Sequence, residues 1–427
     1  MFLKRILSNK SFLDFFVMFL SNIMKKGIGF FREVILALVF GSSIIYANFL
    51  LLKSAADLFS LLTQGNALQA NLLAKFSKLY DAGIPVSLSN VLSFSKRMML
   101  NFFLLSQLIQ LPIVWYIQPD NYLLFILISI LLGVIVSVSF YSSIFLVIMQ
   151  GKDEFKKHSI ATTLDLFSFT LVLYPLSILF GVLGIVLSRL VGLFIMFGKF
   201  IRPITKEVAG EPATFNIKDF NISVMLLGNF AHVILLLSRF VAGLDAGNNI
   251  TFYNYSVVLL NVMLTVVILN LNTIVLRRLS IKKDIKLIFF SAGVALILGL
   301  GLVYFINAFG FEVIQLIFQR GAFTLEDSMK TFEYAKDLSL PFVFIFIATA
   351  LFQPFFTLKQ EIIKRMSRNM ALGLLSVVAA LFVSFQFLAL SARENSLIMM
   401  YVLSVVSMLL SFVAVYKYLK FENKNIE

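Results

Sequence analysis

The sequence predicts an all-α polytopic membrane protein in which twelve transmembrane helices form two six-helix lobes. Three observations predict this class: a hydrophobic fraction of 60% beside only 14% charged residues, apolar runs of about 20 residues, and Lys and Arg residues that alternate between the two sides of these runs. So little polar surface cannot coat a soluble globule of 427 residues. The runs are also too continuous for outer-membrane strands, which alternate polar and apolar residues.

Twelve segments are long and apolar enough to cross roughly 30 Å of hydrocarbon as helices. Numbered as spans 1 to 12, they lie near residues 11–39, 45–74, 92–117, 121–149, 157–180, 182–201, 219–244, 250–276, 285–309, 331–357, 368–390 and 396–418. Basic residues precede span 1, as in a signal peptide, but further membrane span follows it. We therefore interpret span 1 as a retained helix.

The distribution of Lys and Arg orients the predicted bundle. With a cytoplasmic N-terminus, almost all of these residues outside the spans lie on the inner side, and only Arg320, Lys330 and Arg393 lie on the outer side. The positive-inside rule then predicts cytoplasmic termini in a multi-pass protein of the bacterial cytoplasmic (inner) membrane. The net charge of +14 would face anionic inner-leaflet lipid, so no nucleic acid partner is predicted.

A faint internal repeat divides the chain into two halves. Residues 41–48 and 247–254 share Gly, Ile and Asn at equivalent positions, after spans 1 and 7 respectively. Such halves are expected to be parallel repeats related by an axis along the membrane normal. The sequence thus predicts an N-lobe of residues 1–201, a cytoplasmic linker of residues 202–218 that contains Pro and Gly, and a C-lobe of residues 219–427.

Seven basic residues fall inside the predicted spans: Lys25, Lys26, Arg32, Lys53, Arg189, Arg239 and Lys336. A charge at the bilayer centre costs roughly 2.5–3.5 kcal/mol on insertion scales, so such residues face a wet cavity, a partner or the interface. Arg189 and Lys336 lie near span ends, where we expect them to reach the headgroups. Lys25, Lys26, Arg32 and Arg239 favour an anionic ligand.

Polar residues gather at helical spacing in spans 1, 2, 7 and 8. The sets are Lys25 and Arg32 in span 1, Lys53 and Asp57 in span 2, His232 and Arg239 in span 7, and Asn254 and Asn261 in span 8. The simplest arrangement directs all four faces toward one central cavity. A structural interpretation stays open for several of them, because Asn often only bonds neighbouring helices, Lys53 and Asp57 can neutralise each other, and His232 can be a packing residue.

The composition argues against several kinds of chemistry. The chain has no Cys and only two His residues, His158 and His232, so no metal site and no cofactor are predicted. Walker and Gly-x-Ser-x-Gly motifs are absent from the sequence. A glycan polymerase or ligase is the enzyme alternative, but it would be expected to carry a large outward loop, and the longest predicted one, about 309–330, is short.

Residues 317–324, Ile-Phe-Gln-Arg-Gly-Ala-Phe-Thr, followed by Asp327, closely resemble the signature of the MurJ (MviN) lipid-linked glycan flippases of the multidrug/oligosaccharidyl-lipid/polysaccharide (MOP) exporter superfamily. Arg320, Gly321 and Phe323 carry this signature. Residues 29–41 and 239–253 are similar to the family's helix 1 and its helix 7 to 8 junction. The resemblance implies a MOP-type fold whose helices 1, 2, 7 and 8 line a cavity that opens alternately to the two membrane faces.

The resemblance also implies substrate-binding residues. Lys26 and Arg32 fall where the family has two cavity arginines, although helical spacing places Lys25 on the Arg32 face. Lys53 matches a lysine of helix 2. Departures from the family pattern lie at Tyr46, Phe59-Ser60 and Ser256 in place of charged residues, and the chain ends after twelve predicted helices, whereas MurJ members typically add two that form a lipid-tail groove.

The resemblance, together with the cations inside the spans, implies a transporter and no enzyme: an alternating-access flippase that moves a polyprenyl-pyrophosphate-linked glycan from the inner to the outer leaflet. Lipid II or a related cell-envelope oligosaccharide precursor is the expected cargo, membrane lipid and envelope-synthesis proteins are the expected partners, and peptidoglycan or cell wall biogenesis is the expected process. Asn254 and Asn261 would contact the sugars. Asp57, Asp165 and His232 are candidates for coupling.

The alternatives are a cation-coupled multidrug exporter of the same superfamily and a non-transporting membrane scaffold of envelope synthesis.

Overall fold

The computed structural model describes residues 10–63, 72–73, 76–77, 79–83, 88–117, 119–204, 222–245, 247–264, 268, 286–352, 355, 358, 360–388 and 390–423. Within these ranges the regular secondary structure is helical throughout, without strands. This is expected of a chain in lipid, where each backbone N–H and C=O must find a hydrogen-bond partner inside its own segment.

Each of the twelve predicted spans overlaps a helix of the described structure. The helices are α1 (Lys10–Phe40), α2 (Ile44–Thr63), α3 (Leu88–Ile117), α4 (Tyr122–Gly151), α5 (Phe155–Phe180), α6 (Val182–Met196), α7 (Phe230–Ala242), α8 (Asn249–Met263), α9 (Lys286–Phe318), α10 (Leu325–Leu351), α11 (Gln360–Phe387) and α12 (Ala392–Asn423). A π-helical turn, Phe197–Ile201, extends α6, and a short helix, Ile222–Gly228, precedes α7.

The protein is a multi-pass membrane protein. Among the described helices, nine are long and apolar enough to cross a bilayer, and the apolar α7 is shorter. The all-α fold class is thereby confirmed, while the exact number of twelve crossings stays a prediction. Prolines lie inside α3, α5 and α10 at Pro112, Pro175 and Pro341, which is common in membrane helices because neighbouring groups satisfy the freed carbonyls.

The chain forms two compact units. The first consists of Met1–Val39 and Ala55–Met225, and the second of Phe40–Ser54 and Leu226–Glu427. The turn between α1 and α2 and the first half of α2 therefore belong with the C-terminal helices. The boundaries of the N-lobe and the C-lobe remain predictions, because most of the predicted linker, residues 205–221, lies outside the described residues.

In the first unit, α3 packs on α4, and α5 packs on α6. The described core is built by aromatic and aliphatic side chains of α4, among them Phe140 and Phe145, which pack with Val91 of α3 and with Ile201 of the π-helical turn. The helix α4 also contacts α5 and α6.

In the second unit, α10 lies at the centre of the packing and contacts α8, α9 and α12, while α12 also contacts α7. In the apolar stretch that qualifies α10 as a membrane span, 72% of the residues are buried, against 11% in the corresponding stretch of α11. One apolar cluster joins Ile288 of α9, Leu351 of α10, and Val415 and Tyr418 of α12. The central helix α10 follows directly after the Arg320 signature, so the signature precedes the most buried of the long membrane-crossing helices described in this unit.

Candidate functional site

Polar side chains join α1 to α5 in the first unit. The Lys25 ammonium donates to the hydroxyl of Thr162 at 3.2 Å, and the hydroxyls of Ser21 and Thr163 lie 2.7 Å apart. Lys26, by contrast, is exposed. Lys25 and Arg32, which helical spacing places on one face of α1, both contact α5.

Arg32 lies at the same interface and has two kinds of contact. Its Nη2 and Nε donate to Oε1 of Glu33 at 2.6 and 3.1 Å. Its guanidinium carbon lies 5.3 Å from the ring centroid of Phe169 on α5. The Arg32 side chain is still 25% exposed, against 11% for Glu33, so the cation is accessible while its carboxylate partner is mostly covered.

Asp165 on α5 is ion-paired with Arg189 on α6, with Oδ1 2.6 Å from Nη1. Arg189 was expected to reach the headgroups from its span end, but it turns toward this buried carboxylate instead. Its guanidinium carbon lies 5.8 Å from the Phe169 ring centroid. Lys336, the other residue with that expectation, is exposed on α10.

Arg239 of α7 is the most buried of the predicted cationic residues whose exposure the structure gives, with 9% of its surface exposed. Its Nε donates to the hydroxyl of Ser54 on α2 at 2.8 Å, and its Nη1 donates to Oδ1 of Asn254 on α8 at 3.0 Å. All three residues belong to the second unit. Asn254 was predicted to contact sugars, and its carbonyl oxygen is already used to hold Arg239.

The remaining predicted site residues lie in several helices. Lys53 and Asp57 are half-buried on α2, where Lys53 belongs to the second unit and Asp57 to the first. His232 on α7 and Asn261 on α8 are also half-buried. Across the part of the chain that the structure describes, no three His, Asp or Glu side chains come together as a metal site would require.

The Arg320 signature forms the turn between α9 and α10. Arg320 is exposed, and its Nη2 donates to the carbonyl of Leu316 at 2.8 Å. Gly321 has φ +59°, which favours glycine. Phe323 is 2% exposed and packs edge-to-face on Tyr255 with ring centroids 5.2 Å apart. Thr324 and Asp327 then form a capping box that starts α10.

This turn packs against the turn between α1 and α2. Gly41 has φ +52°, and a Cβ there would collide with the carbonyl of Ala322. The Tyr255 hydroxyl donates to the Gly41 carbonyl at 3.3 Å, and the Tyr255 ring stacks on Tyr46. The signature residues therefore connect two turns of the second unit, which is a structural role.

The two copies of the internal repeat meet at one pair of equivalent positions. Nδ2 of Asn248 donates to the hydroxyl of Ser42 at 3.4 Å, and these two residues occupy the same place in the two repeats. The parallel arrangement of the two halves stays a prediction.

The fold is that of the MOP superfamily transporters. A lipid II flippase, MurJ, in an inward closed conformation has a TM-score of 0.70 at 17% identity, with 95% of this chain and 87% of that chain covered. An inward-facing multidrug resistance MATE family transporter of the MOP superfamily has a TM-score of 0.59 at 14% identity, covering 95% and 96%. A MATE transporter of Vibrio cholerae has a TM-score of 0.59 at 11% identity, covering 97% and 98%. No protein-family model matches the chain, and a search of curated proteins gives no match.

Several contacts at these sites were not predicted from the sequence. Ser54 was overlooked as a partner of Arg239, and Phe169 was not recognised as a partner of Arg32. For Phe169 a signal existed, because it lies one helical turn after Asp165 and therefore on the same face of α5. For Ser54 there was none, because Ser is common in membrane helices.

Proposed function

We propose that this protein is an alternating-access flippase that moves a polyprenyl-pyrophosphate-linked glycan from the inner to the outer leaflet. The observation that carries the proposal is the set of cations on α1, where Lys25, Lys26 and Arg32 lie in a 31-residue helix that the sequence predicts to cross the bilayer as span 1. Each costs several kcal/mol there unless solvated or paired. Lys26 and Arg32 retain exposed surface, and an anionic headgroup is the ligand that such residues bind.

The proposed roles follow from the chemistry of each side chain. Lys25, Lys26 and Arg32 bind the pyrophosphate by charge-assisted hydrogen bonds, and Lys53 and Arg239 are the further cationic residues proposed to bind the substrate. Asn254 and Asn261 contact the sugars. The polyprenyl tail stays in lipid, no covalent bond changes, and movement of one lobe against the other carries the headgroup across.

The cargo is lipid II or a related cell-envelope oligosaccharide precursor, which places the protein in peptidoglycan or cell wall biogenesis. The fold alone does not choose between this role and cation-coupled drug export, because MATE transporters share it. The carboxylates favour the flippase. Glu33 and Asp165 are each engaged by an arginine at 2.6 Å, so neither offers a cationic drug an uncompensated negative charge.

The test is transport of a fluorescent lipid-linked glycan in proteoliposomes that contain the purified protein. Arg32→Ala and Arg239→Ala are each expected to slow flipping about tenfold to a hundredfold, because a hydrogen bond to a charged group contributes ~1.5–3 kcal/mol. Arg365→Ala is the matched control, since Arg365 is exposed at the start of α11. Undiminished flipping by both variants at normal protein levels would refute the proposed roles.

The same assay separates the alternatives. A multidrug exporter would move a cationic dye and leave the glycolipid where it is. A scaffold would move neither, while still binding envelope-synthesis proteins. Depletion of the protein in its native cell would then identify the cargo, because the lipid-linked intermediate that the protein moves would accumulate.

A further inference from the structure

Two arginines from different helices lie over one aromatic ring in the first unit. The ring is Phe169 of α5, which is 6% exposed. The guanidinium carbons of Arg32 on α1 and Arg189 on α6 lie 5.3 and 5.8 Å from its centroid. Phe169 is thus a buried contact shared by three helices.

The ring contact differs in kind from the Arg32 ion pair. Glu33 is the next residue on α1, so the pair moves with that helix and does not locate Arg32 relative to α5. Phe169 belongs to α5 and does locate it. A ring attracts the face of a guanidinium through its quadrupole, whereas the N–H groups lie along the guanidinium edge. The ring can therefore fix the plane of Arg32 without using its hydrogen-bond donors.

The ion pair between Asp165 and Arg189 supports the same ring. Asp165 precedes Phe169 by one helical turn, so the two side chains share a face of α5. Through its 2.6 Å contact with Asp165, Arg189 ties α6 to this face of α5. Arg189 therefore contacts both the carboxylate and the ring on this face of α5.

We infer that Phe169 is a positioning residue that orients the Arg32 guanidinium for binding a pyrophosphate, with Asp165 and Arg189 bracing the ring. This inference rests on the proposed function. It adds an uncharged residue, Phe169, to the cationic residues that are proposed to bind the pyrophosphate. Phe169 acts through Arg32 and does not touch the ligand.

The experiment measures binding of polyprenyl pyrophosphate to the purified full-length protein in detergent micelles. Phe169→Leu and Phe169→Met, which remove the ring, are each expected to weaken binding about tenfold, whereas Phe169→Tyr keeps the ring and stays within about twofold. Phe167→Leu is the matched control, because Phe167 is an exposed phenylalanine of the same helix. Two ring-removing variants are included so that one misfolded protein does not end the test.

A double-mutant cycle separates positioning from general packing. In an Arg32→Ala background, Phe169→Leu should cause no further loss of affinity, because its effect acts through Arg32. An equal loss in both backgrounds would overturn the inference.

A second readout needs no ligand. In protein labelled with ¹⁵N-arginine, the ring current of Phe169 should shift the Arg32 Nε–H resonance. Phe169→Leu should move this resonance and Phe167→Leu should leave it in place. An unmoved resonance in Phe169→Leu would overturn the positioning of Arg32. Absence of polyprenyl pyrophosphate binding to the unaltered protein is a different result, and it would overturn the proposed function together with this inference.

Discussion

At the residue scale, the cations inside the membrane segments are stabilised by different kinds of partner. Arg32 and Arg189 each contact a carboxylate at 2.6 Å. Lys25 donates to a threonine hydroxyl, and Arg239 donates to a hydroxyl and an amide oxygen. Neutral acceptors lower the cost of burying a cation without adding negative charge.

The contact between Arg239 and Asn254 predicts a measurable coupling energy. In membrane proteins such hydrogen bonds contribute ~0.6 kcal/mol on average and at most ~1.7 kcal/mol. Since Arg239 is charged and 9% exposed, we expect the upper part of that range for a cycle of Arg239→Met and Asn254→Ala. Equilibrium unfolding in mixed micelles measures it.

The control for this cycle is Asn307→Ala. Asn307 is exposed, and its amide donates to the carbonyl of Val303 within its own helix, so no coupling to Arg239→Met is expected. A cycle with Asn254 that gives the same near-zero value would show that the 3.0 Å contact contributes nothing to stability.

At the element scale, hydropathy located the helices and local chemistry set their ends. Span 10 was predicted to begin near residue 331, but α10 begins at Leu325. The first turn carries Glu326 and Asp327, which lower the mean hydropathy at this end, and the capping box of Thr324 and Asp327 fixes the start. Span 7 was predicted as one run, yet the helix is interrupted between Gly228 and Phe230. The sequence shows the polar residue Asn229 at this break, but it does not show that the helix is interrupted there.

Side-chain partners on other helices were harder to predict than the helices themselves. Helical periodicity assigned Lys25 and Arg32 to one face, and that face proved to be the one that contacts α5. Periodicity does not say which helix lies opposite, so the pair of Asp165 and Arg189 was missed. The signature of Arg320, Gly321 and Phe323 was recognised as a motif, but its contact with the distant Gly41 turn follows only from tertiary packing.

The contact between the two turns predicts an unusual cost for a small substitution. Gly41→Ala should destabilise the protein by more than the ~1–2 kcal/mol that a left-handed backbone costs an alanine, because the new Cβ also meets the Ala322 carbonyl. Thermal unfolding of the purified protein measures the difference.

Gly83→Ala is the matched control for Gly41→Ala. Gly83 has φ +71°, and a Cβ there meets no described atom within 4 Å, so this variant isolates the backbone term. Equal destabilisation by the two variants would mean that the α9 to α10 turn yields to the new methyl group, and that the signature does not hold the Gly41 turn in place.

At the scale of the whole molecule, the internal repeat and the unit boundary give different divisions of the chain. The repeat divides it between spans 6 and 7. The compact units instead assign Phe40–Ser54 to the C-terminal helices, and the equivalent residues Ser42 and Asn248 bond each other there. The α1 to α2 turn therefore packs with helices that are distant from it in sequence.

The predicted topology can be tested directly because the chain has no native Cys. Single cysteines can therefore report sidedness without background labelling. If twelve spans run from a cytoplasmic N-terminus, the exposed turn positions Asp120 and Glu326 lie outside, whereas Lys156 and Glu361, exposed at the starts of α5 and α11, lie inside. The positive-inside bias of Lys and Arg is the physical reason for this orientation.

In intact cells, a membrane-impermeant maleimide should label Asp120→Cys and Glu326→Cys within minutes. It should label Lys156→Cys and Glu361→Cys only after the membrane is permeabilised. Because Asp120 and Lys156 flank α4 while Glu326 and Glu361 flank α10, the two pairs test the halves separately. Opposite sidedness of Asp120 and Glu326 would mean that the halves are inverted, which would exclude parallel repeats and the alternating-access arrangement proposed from them.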